Sequence, residues 1–198
     1  VAADFAQSAR ERLNPRLPRV NTGKLRVSPV TLLQLRKTLF SIPNKNSCVE
    51  GDIPVKILKL CFPVVNRYLL RIINKSFITG TVPESWKRAT VIPLHKKGDP
   101  SVSSNFRPVT NIPTITKVVE KLVLKQLTNY LNREHLYSND QHGFRENHST
   151  CTALLAVTDE ILKGMDRSEI CLLALIDLSR CFDVIDHKTL LNKLELLQ

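Results

Sequence analysis

Apolar residues recur at intervals of three and four along much of this chain, which is the spacing of an amphipathic helix. The pattern predicts four helices, over 30–42, 54–77, 113–131 and 151–162. Ser28 is expected to cap the first helix, with Pro29 at its first position. Pro63 is expected to divide the second helix into two segments, and Gly80 to break the chain after it.

Three other segments have the composition of strands. Residues 89–94 lead into a turn at 95–100 and the chain returns through 105–110, which predicts a β-hairpin. Further on, the unbroken apolar run from Leu172 to Ile176 predicts a buried central strand that ends on Asp177. An isolated carboxylate is costly to bury without a cation, so a divalent metal is a candidate partner for Asp177.

The acidic and hydroxyl residues near Asp177 and the fourth helix can also be interpreted as ordinary turn and helix-cap residues. Asp177 would then open a turn, and Asp183 or Asp186 would cap a helix that begins near His187. Ser149 or Thr150 would cap the helix over 151–162 in the same manner. From spacing alone, both interpretations of Asp177 stay open.

Charge changes this picture, because it is unevenly distributed. The 198 residues carry a net charge of +11. Residues 1–150 hold 24 Lys and Arg against 10 Asp and Glu, a net +14, whereas residues 151–198 hold 5 against 8, a net −3. A basic body joined to an acidic end suits a protein that binds a polyanion along one surface and metal ions at one point.

Composition excludes several other classes of protein. The five cysteines are scattered and never form a C-x-x-C pair, so we expect neither a disulfide framework nor a structural zinc site. No window of 18 apolar residues occurs, and the amino terminus lacks the pattern of a signal peptide. We therefore expect no membrane partner and an intracellular location, nucleus or cytoplasm.

The segment from Leu172 to His187 resembles the first catalytic motif of the reverse transcriptases of non-LTR, LINE-type retrotransposons. In that family a strand reading Leu-Ile-Asp-Leu-Ser runs into Phe-Asp and then Val-Asp-His. The resemblance implies that Asp177 ligates two catalytic Mg²⁺ ions with help from the backbone carbonyl of Leu178. It also implies that the Phe182 side chain sterically blocks the 2′ position of the incoming sugar.

The predicted hairpin resembles the fingers hairpin of the same enzymes, whose return strand reads Asn-Tyr-Arg-Pro-Ile-Ser. The resemblance implies that Arg107 holds the incoming triphosphate and that Lys96 or Lys97 is the fingertip lysine. A guanidinium binds phosphate oxygens in a bidentate manner, while a lysine supplies a point charge. Taken alone, a Lys-Lys-Gly-Asp turn is also typical of an ordinary surface hairpin.

The loop before the fourth helix carries the third resemblance, to the family pattern Gln-x-Gly-Phe-Arg-x-x-x-Ser-Thr. It implies that Gln141, Gly143 and Arg145 contact the template. Glycine allows close approach of a bound strand, and arginine pairs with phosphate or stacks on a base. Within the family, the resemblance is greatest to the Jockey and chicken-repeat group.

Together these motifs imply an α+β fold, the fingers and partial palm of a right-hand polymerase, mostly helical with a fingers β-hairpin and a truncated palm sheet. The implied domains are a basic arm or linker at 1–27, fingers with the start of the palm at 28–170, and a palm strand with the first catalytic motif at 171–198.

The implied reaction is RNA-templated addition of deoxynucleotides to a DNA primer, with two Mg²⁺ ions about 4 Å apart. One carboxylate cannot hold two ions, and this sequence contains no Asp-Asp pair like the one that the family carries on a later hairpin. We therefore expect the chain to be inactive alone, with its palm strand partly exposed. The alternative is a non-catalytic nucleic-acid-binding module. A third interpretation, an unrelated helical scaffold protein, would require the three motif matches to be coincidental.

Overall fold

The computed structural model describes residues 25–44, 49, 51–178 and 181–195. The helices are α1 (Leu32–Ser41), α2 (Val55–Thr79), the short α3 (Glu84–Lys87), α4 (Thr114–Arg133), α5 (Thr150–Asp166) and α6 (His187–Glu195). The strands are β1 (Thr90–His95) and β2 (Phe106–Asn111), which form the only sheet in the described part of the chain. This mixture of helices with a small antiparallel sheet confirms the α+β class. Most of the predicted basic arm at 1–27 lies outside the described residues.

The described residues form two compact units, one within 26–130 and the other chiefly within 131–198. The predicted boundaries at 27 and 170 stay a prediction. The core of the unit 26–130 is built where α1, α2 and α4 meet, and its buried apolar residues come from all three helices and the segments before them. They are Val30, Leu35, Leu39, Ile42, Val55, Leu58, Phe62, Ile73, Val118 and Leu122.

The first helix begins later than predicted, at Leu32, with Thr31 as its cap. The prediction of a start at Ser28 is wrong because side-chain amides from other helices pair with the backbone of the residues before Thr31. Asn74 accepts the backbone N–H of Val30 at 2.8 Å and donates to its carbonyl at 2.9 Å. Gln126 makes the same pair of bonds with Ser28. The carbonyls of Ser28 and Val30, which a helix starting at Ser28 would use for its own hydrogen bonds, are therefore occupied by side chains.

Helix α2 runs without interruption through Pro63, so the prediction of two helical segments is wrong. A proline inside a helix removes one hydrogen bond and costs about 3 kcal/mol. Burial of Leu58, Phe62 and Ile73 on the same helix offsets that cost, since each fully buried side chain contributes about 1.5–3 kcal/mol. The helix ends as predicted at Gly80, whose φ of 65° is the left-handed conformation that glycine adopts without strain.

Helix α4 receives its cap from a residue far away in sequence. It begins at Thr114, directly after Pro113, which has no polar side chain to serve as a cap. Asp52, partly buried in the loop before α2, accepts the backbone N–H of Thr114 at 2.7 Å. A carboxylate at a helix amino terminus satisfies an otherwise unpaired N–H and interacts favourably with the helix dipole.

In the unit that includes residues 131–198, the predicted central strand does not form. Residues 169–178 belong to no strand, and Leu172, Leu175 and Ile176 are 88–94% exposed. A strand needs a neighbour for its backbone hydrogen bonds, and the described residues of this unit offer none. The prediction of a buried strand is therefore wrong for this chain, while the expected exposure of the segment is confirmed.

Helix α5 begins as predicted, with the Ser149 hydroxyl accepting the backbone N–H of Thr152, and extends to Asp166, four residues beyond the predicted end. No helix in the described residues has the length and apolarity that a membrane crossing requires.

Candidate nucleotide and template site

The hairpin β1–β2 presents the residues predicted to hold a triphosphate. Arg107 lies directly opposite Leu94 in the antiparallel register, so the two side chains share one face of the hairpin. His95 and Phe106 form the next pair on the other face, with their rings 5.2 Å apart in an edge-to-face arrangement. Arg107 is exposed, and its position along the strand is fixed by the pairs on both sides.

The tip of the hairpin is held by a small network of hydrogen bonds. The Lys96 N–H donates to the Asn105 carbonyl at 2.8 Å, which closes the hairpin just before its two exposed lysines. Gly98 adopts a φ of 86°, and its carbonyl oxygen lies 3.0 Å from Nε2 of His95. The Asn105 amide donates to the carbonyl of Asp99 at 2.9 Å. Lys96 and Lys97 therefore project from an organised turn.

One carboxylate accompanies these cations. The Ser101 N–H donates to the Asp99 side chain at 2.8 Å, and this bond, followed by the Ser101 hydroxyl, lowers the pKa of Asp99. Asp99 is therefore ionised at neutral pH and belongs to the turn. It partly offsets the positive charge of Lys96 and Lys97.

The loop before α5, residues 137–149, is held by internal hydrogen bonds that converge on Ser138. The carbonyl of Ser138 accepts the Gln141 N–H at 3.2 Å and Nη1 of Arg145 at 2.9 Å, and its hydroxyl accepts the Asp140 N–H. Arg145 also stacks on Tyr137, 5.2 Å from the ring centre. The guanidinium therefore already has two partners, while Gln141 and Gly143 are exposed on the same loop.

Phe144 in this loop is a residue that motif analysis did not assign to the site. The residue is 93% exposed, and its φ of 56° is rare for a bulky residue. It packs edge to face on Phe182, with ring centres 6.0 Å apart and an interplanar angle of 89°. Neither feature leaves a signal in the sequence, because backbone strain and exposure depend on the folded loop.

Asp177 is exposed, as is the neighbouring Leu178, at the end of the extended segment. Among the described residues, no three side chains of the His, Cys, Asp and Glu types come together as a metal-binding group. A two-metal site needs more carboxylates than Asp177 supplies. Within the described part of the chain, the donors around Asp177 do not make up a complete two-metal site.

Asp186 is a helix cap, as the simpler interpretation of the sequence predicted. Its side chain accepts the backbone N–H groups of Lys188 and Thr189 and the Thr189 hydroxyl. The Thr189 hydroxyl and then the Lys188 N–H lower the pKa of Asp186. These bonds give Asp186 a structural role at the start of α6.

The predicted residues are divided between the two units. Lys96, Lys97 and Arg107 belong to the unit 26–130, while the loop 137–149, Asp177, Leu178 and Phe182 belong to the other unit. Within the latter, the structure brings the loop and Phe182 together through Phe144.

Comparison with known proteins gives a consistent result. Residues 94–198 match the family described as reverse transcriptase (RNA-dependent DNA polymerase). Over 174 residues the chain is 28% identical to the probable RNA-directed DNA polymerase from transposon BS of Drosophila melanogaster, covering 87% of this chain and 19% of that protein. Over 170 residues it is 29% identical to the RNA-directed DNA polymerase from mobile element jockey of the same organism, covering 85% and 19%.

A more distant relative is the transposon TX1 uncharacterized 149 kDa protein of Xenopus laevis, 25% identical over 169 residues. The chain spans about a fifth of the length of the two Drosophila relatives. Because the family match covers more than half of this chain, and its relatives are transposon polymerases, the chain belongs to the reverse transcriptase family, in the branch of the non-LTR, LINE-type retrotransposons.

Proposed function

We propose that this chain is the part of an RNA-directed DNA polymerase that meets the incoming nucleotide and the template. The observation that carries the proposal is the hairpin, in which Arg107 is held in register opposite Leu94 behind a tip with two exposed lysines. A triphosphate needs several fixed positive donors, and an exposed β-hairpin supplies them on a rigid element. Deoxynucleoside triphosphates are the proposed ligand of Arg107, Lys96 and Lys97.

The loop that contains Gln141, Gly143 and Arg145 is the proposed contact to an RNA template paired with a DNA primer. Its internal bonds around Ser138 support this role, since a loop that is ordered before binding loses less conformational entropy when it binds. Phe182, 72% exposed, is the residue proposed to block the 2′ position of the sugar of the incoming nucleotide.

Asp177 is proposed as one ligand of the catalytic metal, Mg²⁺, with the carbonyl of Leu178. Since the described residues around Asp177 do not complete a two-metal site, the remaining carboxylates are proposed to come from elsewhere in the complete enzyme. We propose that the chain by itself binds nucleotide and nucleic acid but does not extend a primer.

The binding part is tested with a base-labelled fluorescent deoxynucleoside triphosphate titrated into the 198-residue chain. Arg107→Ala should weaken binding about tenfold, because a hydrogen bond to a charged group contributes about 1.5 kcal/mol or more. Arg71→Ala is the matched control, an exposed arginine on α2 of the same unit, and should leave the affinity unchanged. Equal affinities of Arg107→Ala and wild type would refute the proposed triphosphate site.

The catalytic part is tested by primer extension on an RNA template with Mg²⁺. We expect no product from this chain. Product that disappears in Asp177→Asn would refute the claim that the chain is inactive alone, and would assign the catalytic metal to Asp177.

A non-catalytic nucleic-acid-binding module is the second candidate. It is favoured by the charge of residues 26–130, which hold 17 Lys and Arg against 5 Asp and Glu, a net +12. Not all of these cations are available, since Lys59 donates to the carbonyl of Ile42 and the side chain of Asn44 beyond the end of α1. Single-stranded RNA should bind with an affinity that falls as salt rises, because phosphate contacts release counterions. Salt-independent binding would count against this function.

A further inference from the structure

We infer that the Phe144 ring stacks on one unpaired nucleobase and that its contact with Phe182 holds the ring in place. The inference rests on the proposed function, because it takes the loop 137–149 as the contact to the template. It adds a base-binding role for a residue that the motif comparison left unassigned.

The first observation is the exposure of the Phe144 ring. A phenylalanine usually buries most of its surface, and leaving it in water is unfavourable. Phe144 is nevertheless 93% exposed, more than any other aromatic residue among the exposed hydrophobic residues of the described chain. An exposed aromatic face is the feature that binds an unstacked base, since every base has a π-face.

The second observation is the backbone. Phe144 has a φ of 56°, in the left-handed region that bulky residues rarely occupy. Strained positions of this kind persist where the surrounding structure over-determines them, and they cluster at binding sites. Here the Ser138 carbonyl accepts the Gln141 N–H before Phe144 and the Arg145 guanidinium after it, so the loop is held on both sides.

The third observation is the way the ring is supported. The interplanar angle of 89° between Phe144 and Phe182 means that the edge of one ring meets the face of the other. Such a contact fixes the orientation of Phe144 while most of its ring stays exposed to solvent. The neighbouring Arg145, stacked on Tyr137, adds a second flat surface in the same loop.

Charge argues for stacking and not for phosphate binding at this point. Residues 131–198 hold 7 Lys and Arg against 11 Asp and Glu, a net −4, so this stretch of the chain is not expected to attract a phosphate backbone by charge alone. The contribution of Phe144 should therefore depend little on salt, unlike that of the basic residues 26–130.

The test compares a 12-nucleotide single-stranded RNA with an abasic phosphodiester strand of equal length and charge. We expect the chain to bind the RNA about 5- to 150-fold more tightly, the range that stacking of one base corresponds to. Phe144→Leu, which keeps an apolar side chain, should abolish that preference and leave abasic binding and the salt slope unchanged. Phe144→Trp should restore the preference.

Leu155→Ala is the control, because Leu155 is an exposed apolar residue of the same unit at 70% exposure. It should keep the preference for RNA. Phe182→Leu should reduce the preference partly, since Phe144 would lose its support. Circular dichroism of every variant checks that the helices are retained.

A direct measurement does not depend on these variants folding. RNA that carries 5-iodouracil should photo-crosslink to the wild-type chain at Phe144, as identified by peptide mass spectrometry. Crosslinks that map only to residues other than Phe144 would overturn the inference.

Three affinity results would also overturn it. The first is equal binding of RNA and the abasic strand, with salt-dependent binding still present, which leaves the proposed function intact. The second is a folded Phe144→Leu variant that retains the preference for RNA. Absence of binding to either strand would refute both the inference and the proposed binding of nucleic acid.

Discussion

Replacing Asp52 with alanine should destabilise the unit 26–130 through the loss of one long-range helix cap. Asp52 accepts the backbone N–H of Thr114 at 2.7 Å at the start of the 20-residue helix α4. Loss of a side-chain cap costs about 1 kcal/mol, and loss of an anion at a helix amino terminus costs about 0.3–1 kcal/mol. The free energy of unfolding should therefore fall by about 1.5 kcal/mol.

This figure converts into a change of melting temperature. Unfolding entropy is about 2.1 cal/mol/K per residue, or about 0.22 kcal/mol/K for the residues from 26 to 130. We therefore expect Asp52→Ala to lower the melting temperature of this unit by about 7 °C. Asp52→Asn keeps an acceptor and loses only the charge, so its melting temperature should fall by roughly 1–5 °C.

The assay is thermal unfolding followed by the fluorescence of Trp86, the single tryptophan of the chain. Trp86 is partly buried, packs against the core of this unit and accepts a hydrogen bond from the Thr116 hydroxyl in α4, so its emission reports the region around the cap. Glu84→Gln is the control, because it removes a carboxylate whose ion pair with Lys87 is exposed and should contribute at most about 1 kcal/mol. A melting temperature for Asp52→Ala within 1 °C of wild type would refute the capping argument.

Three further predictions concern the hairpin, α5 and α6. Gly98→Ala should weaken triphosphate binding in the fluorescent titration, because a side chain at φ 86° is strained by about 1–2 kcal/mol. The new Cβ would also lie 2.8 Å from the Asn105 amide nitrogen, which helps to hold the turn. Unchanged affinity would contradict this prediction. Gly164→Ala should displace the segment after α5, since its Cβ would lie 2.5 Å from Sγ of Cys171, and faster alkylation of that thiol would report the change. The pKa of Asp186 is lowered on folding from its ordinary value of 3.8. The Asp186 cap therefore stabilises α6 fully at pH values above 3.8, and this stabilisation is lost as the pH falls through the lowered pKa. The protection of the α6 amides relative to unstructured amides at the same pH should therefore be constant from pH 7 to 5 and fall in more acidic solution, whereas the Asp186→Asn variant should show no such titration.

The residues proposed for the candidate site could be named from sequence, because they lie in short continuous motifs. The hairpin that carries Arg107 could be predicted from strand composition and a turn with glycine at its tip, whereas the pairing of Arg107 with Leu94 is given by the structure. The pairing of Phe144 with Phe182 could not be predicted, because it joins a loop and a turn 38 positions apart through ring geometry that leaves no periodic signal. The same holds for the bonds of Arg145 to its own loop.

The sequence by itself determined the local elements and the family. Apolar periodicity set the helices, Gly80 set the end of α2, and Ser149 and Asp186 set the starts of α5 and α6. These features need only interactions within a few residues, so the local pattern is sufficient.

Tertiary structure decided the features that depend on distant partners. The side chains of Asn74 and Gln126 pair with the backbone before α1 and delay its start, and Asp52 caps a helix 62 residues away. Core burial keeps α2 continuous through Pro63. The apolar run that ends at Asp177 is not a strand in this chain, because a strand forms only when a second strand satisfies its backbone hydrogen bonds, and no pattern within the run supplies that neighbour.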